Sequence, residues 1–83
     1  MKVNVLFFGA TADTVGESDV ALELPDGADS KTALDLIFKE FKALSANHKR
    51  DALHFSINQE YSNGDEIISE GDELAVFTAV SGG

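Results

Sequence analysis

Apolar residues recur along this chain with two periods: every second residue in several short stretches, and every third or fourth residue in one longer one. Lys2 to Phe8 (KVNVLFF) is rich in β-formers and ended by Gly9, so it reads as a strand. Its alternation sets Val3, Val5 and Phe7 on one face and Asn4, Leu6 and Phe8 on the other. Both faces are largely apolar, which suits a strand inside a sheet. Gly9 to Asp19 (GATADTVGESD) has Val15 as its one large apolar residue and reads as a loop with room for a helical turn. Val20 to Leu24 alternates again, with Val20, Leu22 and Leu24 inward, and Pro25-Asp26-Gly27 ends it with turn chemistry. Asp29 or Ser30 supplies a side-chain oxygen to cap a helix. Beyond the cap, Ala33, Leu34, Ile37, Phe38, Phe41 and Leu44 form one apolar stripe, predicting a helix from about Lys31 to Leu44 that frays over Ser45-Ala46-Asn47. His48, Lys49 and Arg50 follow, where positive charge suits a helix C-terminus. Leu53 to Asn58 alternates as a strand, and Gln59 to Tyr61 reads as a short edge strand before the turn pair Asn63-Gly64. Ile67 and Ile68 make a brief apolar contact. Glu70-Gly71-Asp72 turns the chain, and Glu73 to Ala79 is the last strand, leading into Val80-Ser81-Gly82-Gly83.

Strand, strand, helix, strand, short strand, strand is the order of an α+β domain: a mixed sheet of about five strands with one main helix on one face. Val3, Val5, Phe7, Val20, Leu22, Leu24, Leu74 and Val76 fall on the helix side. Asn4, Leu6, Phe8, Ala75 and Phe77 fall on the other. Phe8 and Phe77 then stand as partly exposed aromatics on neighbouring central strands, the kind of patch that marks a partner surface.

With 83 residues, the chain makes a single domain, 1–83, in which 78–83 form a flexible C-terminal tail. A tail ending in two glycines has no β-carbons there, so it can enter a narrow channel and bring its carboxylate to a partner's catalytic atoms. The net charge of −9 argues against nucleic acid and anionic membrane surfaces and favours a basic protein partner. No apolar run approaches the roughly 20 residues needed to span a bilayer, and cytoplasmic residence is expected. The chain has no cysteine, which removes disulfides, thiolate catalysis and Cys-based metal sites. His48 and His54 stand apart without ligand spacing, the carboxylates follow no calcium-loop pattern, and no Gly-Lys-Ser/Thr phosphate loop occurs, so no metal, bound cofactor or internal catalytic residue is assigned.

The segments Val5-Leu6-Phe7-Phe8, Val20-Ala21-Leu22, Ile57-Asn58-Gln59-Glu60-Tyr61, Glu70-Gly71-Asp72-Glu73-Leu74-Ala75 and Val80-Ser81-Gly82-Gly83 cover nearly the whole chain. Together they resemble the β-grasp, ubiquitin-like sulfur carriers, and within that class the small subunits of molybdopterin synthase. The resemblance implies that a ubiquitin-activating-like adenylyltransferase uses ATP to adenylate the Gly83 carboxylate, which sulfur converts to a thiocarboxylate. It implies that Val80, Ser81 and Gly82 carry this group into the large synthase subunit, where a cyclic pyranopterin precursor takes the sulfur during molybdenum cofactor biosynthesis. Phe8 and Phe77 match positions at the large-subunit interface, in a heterotetramer. The small subunit is then a sulfur donor that is not expected to be catalytic without its partner. One departure is plain: Thr78-Ala79 stand where the family commonly has two prolines, leaving the tail root less rigid. Fold and tail alone leave open a sulfur carrier for thiamine or tRNA thiolation, a ubiquitin-like protein modifier, or a binding module with an incidental Gly-Gly end. The internal segments favour molybdopterin synthesis.

Overall fold

The alternating stretches pair into one mixed sheet. The computed structural model describes residues 1–49 and 52–78, and its strands are β1 (Lys2–Phe7), β2 (Asp19–Glu23), β3 (Leu53–Ile57), β4 (Glu60–Tyr61) and β5 (Glu73–Thr78), in the order β2-β1-β5-β3-β4. β1 and β5 run parallel, from Asn4↔Glu73 to Phe7↔Val76, and the other neighbours are antiparallel. The last strand in the chain is therefore the middle strand of the sheet. Helices α1 (Ala10–Val15), α2 (Ser30–Glu40) and α3 (Lys42–Asn47) supply the second layer.

The hydrophobic core is on one face. Val3, Val5, Phe7, Leu74 and Val76 are buried against Ala33, Ile37, Phe38 and Leu44 of the helices, with Leu24, Phe55 and Ile68 closing the sides. Val20 and Leu22 pack on this core while partly exposed, because β2 is an edge strand. These are the inward positions that the alternation assigns. Burying a phenylalanine such as Phe7 stabilises the fold by roughly 1.5–3 kcal/mol.

The structure departs from the sequence reading in four places. The segment read as a loop, Gly9 to Asp19, contains α1, ended by Gly16 in the left-handed conformation. The single helix to Leu44 is two: Phe41 leaves helical geometry (φ −112°, ψ 75°) while its N–H still donates to the Ile37 carbonyl at 2.9 Å. The bend sets the Phe41 ring edge-on to Phe7, centroids 5.3 Å apart, and α3 then continues through the residues expected to fray. Asn58, read as the end of a strand, forms with Gln59 the two-residue turn between β3 and β4, both with positive φ. Ile68 is buried but Ile67 is exposed, so the two do not act as one contact. Of the two capping candidates, Asp29 is the cap: its carboxylate accepts from the Thr32 N–H at 2.8 Å.

Candidate functional site

Register determines what the open face of the sheet displays. Asp19, Leu6, Ala75, Ser56 and Tyr61 lie side by side across all five strands, through the pairs Leu6↔Asp19, Leu6↔Ala75, Ser56↔Ala75 and Ser56↔Tyr61. The next row holds Phe77 paired with His54. Phe8, whose N–H donates to the Val76 carbonyl at 3.3 Å, stands one residue beyond Phe7↔Val76 and thus beside Phe77. In the opposite direction come Ala21, Asn4 and Glu73, then Glu23 and Lys2. One end of the face is apolar and aromatic, and the other is polar and charged.

Phe8 is 52% exposed and Tyr61 71%, so neither ring has a cover. Phe77 is half-buried because His54 stacks on it (5.6 Å, 27°) and Tyr61 leans against it (5.8 Å). The expected pair Phe8 and Phe77 is thus brought together on adjacent strands, and the structure adds His54 and Tyr61. The two added rings were beyond sequence reasoning because their place depends on the register of β3 and β4. Because β5 runs parallel to β1, its last residues, Phe77 and Thr78, stand at the same end of the sheet as Phe8. Val80, Ser81, Gly82 and Gly83, the expected tail and carrier residues, lie outside the described residues.

Thr11 fixes this end of the sheet. Fully buried at the start of α1, its hydroxyl lies 2.8 Å from both the Phe8 and the Val76 carbonyls and accepts from the Phe8 N–H at 3.1 Å. It therefore ties the end of β1 to β5 where the two aromatics project. No hydrophobic period marks it, so pattern reading passed over it.

A second polar cluster lies on the far side of β4. The Glu66 carboxylate accepts from the Asn63 N–H at 2.7 Å, from the Ser62 hydroxyl at 2.7 Å and from the Ser30 hydroxyl at 2.9 Å. The Asn63 amide is the largest of the contacts that favour its charged form, and they hold its pKa down from 4.5 to about 2. Asp29 is also lowered, first by the Thr32 amide. These carboxylates accept hydrogen bonds within the fold, which makes them fastenings for the α2 N-terminus and the loop before β5. Among the described residues no group of three or more His, Cys, Asp or Glu could hold a metal ion, and no helix is long and apolar enough to cross a membrane.

A mixed five-stranded sheet with its helices on one face, an exposed aromatic patch on the other and the last strand at its centre defines the class: a ubiquitin-like β-grasp domain. The chain belongs to the ThiS family, whose model matches residues 5–83. It is similar over its full length to the molybdopterin synthase sulfur carrier subunit of Chlamydomonas reinhardtii, at 33% identity with 100% of both chains covered. Among solved structures it is similar to SAMP1 from Haloferax volcanii, at 27% identity and a TM-score of 0.84 with 100% of each chain covered. The fold also matches a complex of subunits 1 and 2 of molybdopterin-converting factor from Helicobacter pylori, at 24% identity and a TM-score of 0.71 over 100% of both chains.

Proposed function

We propose that this chain is the sulfur-carrier subunit of a molybdopterin synthase, acting in the cytoplasm. The Gly83 carboxylate attacks the α-phosphorus of ATP on a ubiquitin-activating-like adenylyltransferase, and pyrophosphate leaves. A persulfide sulfur then attacks the acyl carbon, AMP leaves, and a thiol cleaves the acyl disulfide to give a thiocarboxylate. Val80, Ser81 and Gly82 lead that group into the large subunit, which binds the cyclic pyranopterin precursor that takes the sulfur. Thr78 to Gly83 can span roughly 20 Å at about 3.4 Å per residue, enough to reach a buried centre.

The observation that carries this reading is the position of β5: the middle strand ends at Thr78, at the end of the sheet where Phe8 and Phe77 stand on the uncovered face. A partner seated on those rings would lie next to Thr78, where the tail begins. Support comes from the full-length similarity to a molybdopterin synthase sulfur carrier subunit and from the same fold in the Helicobacter pylori two-subunit complex. The net charge of −9 suits a basic partner surface through electrostatic steering. Calorimetric titration with the large subunit tests the docking arm. Phe77→Ala is expected to weaken binding about tenfold or more, as loss of a central aromatic anchor does, with little loss of fold. Unchanged affinity would count against the interface.

One observation favours a second reading. SAMP1 is named a small archaeal modifier protein, and its structure superposes as well as any similarity above. As a modifier, the same terminal carboxylate would form an isopeptide with target lysines, and a ladder of covalent adducts in cells would identify that use.

A further inference from the structure

Asn63-Gly64 stands out in the sequence as a turn pair, but the turn between β3 and β4 is Asn58-Gln59, so Asn63-Gly64 does not close the hairpin. It lies in the loop from Ser62 to Ile68, which the carrier reading leaves without a role. An asparagine followed by glycine is open to attack on its side-chain amide by the next backbone nitrogen, because glycine has no β-carbon to crowd the approach. We infer that Asn63 is a site of spontaneous conversion to aspartate and isoaspartate, that the Glu66 carboxylate restrains the reaction, and that the products undo the restraint.

The reacting groups are accessible. Asn63 is exposed, and among the described residues its side-chain amide takes part in no hydrogen bond. Nothing packs on Gly64 either: a β-carbon built there would meet no other atom within 4 Å. In the reaction the Gly64 nitrogen gives up its proton and bonds to the Asn63 Cγ. The bond from Cγ to Nδ2 breaks, and ammonia leaves with that proton, closing a succinimide ring. Water then opens the ring. Attack at Cγ leaves aspartate at position 63, and attack at the main-chain carbonyl carbon leaves isoaspartate, with the backbone running through Cβ and Cγ. Water is the one co-reactant.

The restraint is a clasp on both sides of the Asn63 α-carbon. The Asn63 N–H donates to one Glu66 oxygen at 2.7 Å. The Gly64 N–H is shared between the other Glu66 oxygen at 3.2 Å and the Ser62 hydroxyl oxygen at 3.1 Å. Ring closure turns the Gly64 peptide toward the asparagine side chain and so breaks the second set of contacts. It also passes through a deprotonated nitrogen, which a carboxylate a hydrogen bond away disfavours by like charge. That carboxylate cannot follow the turning peptide, because the Ser62 and Ser30 hydroxyls donate to it at 2.7 Å and 2.9 Å. The reaction therefore waits for local opening of the loop. Afterwards the loop cannot close as before. A new carboxylate at position 63 repels Glu66, and in isoaspartate an extra backbone carbon separates the two amides that one carboxylate holds.

The test follows Asn63 by peptide mapping with mass spectrometry during incubation at mildly alkaline pH, with aspartate and isoaspartate separated by chromatography. Denaturant unfolding of each protein is measured in parallel. Wild type in denaturant gives the unrestrained rate. The folded chain should convert about tenfold more slowly or less, the factor that a hydrogen bond to a charged group supplies, and Glu66→Ala should recover most of it. Thr11→Val, which weakens the fold at the junction of β1 and β5 instead, should keep the folded wild-type rate, separating loss of the clasp from loss of stability. If Glu66→Ala does not fold, Ser62→Ala takes its place: it removes one acceptor of the Gly64 N–H and should raise the rate about threefold. The purified isoaspartate form should unfold at a lower denaturant midpoint than the unmodified chain. No conversion at Asn63 in denaturant, equal rates in folded wild type and the clasp variant, or equal acceleration in Thr11→Val would overturn the inference. An isoaspartate form as stable as the unmodified chain would overturn its last part. The carrier reading stands or falls separately, since none of these rates involves the chain terminus.

Discussion

Thr11 shows how much one hydroxyl contributes to this fold. It is fully buried and serves the Phe8 amide and two carbonyls at the end of the central strand pair. Thr11→Val keeps the volume but removes the oxygen, so the Phe8 amide and the Val76 carbonyl are left with only their mutual bond at 3.3 Å and the Phe8 carbonyl with only the Thr11 N–H at 3.2 Å. A loss of about 0.5–1.5 kcal/mol is expected in denaturant unfolding. Asn58 and Gln59 make a different point. Asn58 has φ 51°, and its side chain accepts from the Glu73 N–H at 3.0 Å and donates to Asp72 at 3.1 Å, so hydrogen bonds offset its strain. Gln59, at φ 73°, has no such contact among the described hydrogen bonds. Left-handed geometry costs an L-residue roughly 1–2 kcal/mol, and glycine returns about 0.5–1 kcal/mol of that as extra unfolded-state entropy. Gln59→Gly should therefore stabilise the protein by about 0.5–1 kcal/mol, read as a higher denaturant midpoint with an unchanged slope.

Among the secondary-structure elements, the longer strands β1, β2, β3 and β5 were legible because the two-residue period survives in them, and it also separated the covered face from the open one. The helical layer was only partly legible. Ile37, Phe38, Phe41 and Leu44 keep helical spacing across the break at Phe41, so the period cannot report that the axis bends there. The short helix α1 was read as no more than a helical turn in a loop for another reason: its most buried side chain is a threonine fixed by hydrogen bonds, to which an apolar pattern is blind. The loop from Ser62 to Ile68 has no period either, and it is fastened by Glu66 and by the Ser30 N–H to the Glu66 carbonyl at 2.8 Å. The Glu66 pKa is lowered from 4.5 to about 2, so its contribution to stability is complete above pH 4.5 and disappears as the pH falls toward 2. Glu66→Gln should lower stability at neutral pH and flatten the acid limb of the stability curve between those values, in unfolding followed as a function of pH.

Over the whole molecule, charge is sorted by layer. Among the described residues, Lys31, Lys39 and Lys42 lie on α2 and α3 and Lys49 just beyond α3, and Lys2 is the one lysine or arginine elsewhere, while the strands and their loops carry most of the carboxylates. The segments that carry the family likeness gain structural reasons. Asn58-Gln59 is the β3–β4 turn. Gly71, at φ 83°, donates to the Lys2 carbonyl at 2.9 Å, and Asp72 accepts from the Asn4 N–H at 3.1 Å, so Glu70-Gly71-Asp72-Glu73 starts β5 beside β1. Half of the aromatic patch on the open face was legible as Phe8 and Phe77 from alternation, and His54 and Tyr61 emerged only with strand pairing. In the proposed function the chemistry rests on the Gly83 carboxylate. The most direct test of that claim is intact mass spectrometry after incubation with ATP, the activating enzyme and a sulfur source, beside a variant lacking Gly83. The account predicts a gain of about 16 Da as one terminal oxygen becomes sulfur, in the intact chain and not in the truncated one. No gain in the intact chain, with an enzyme shown to be active, would contradict it.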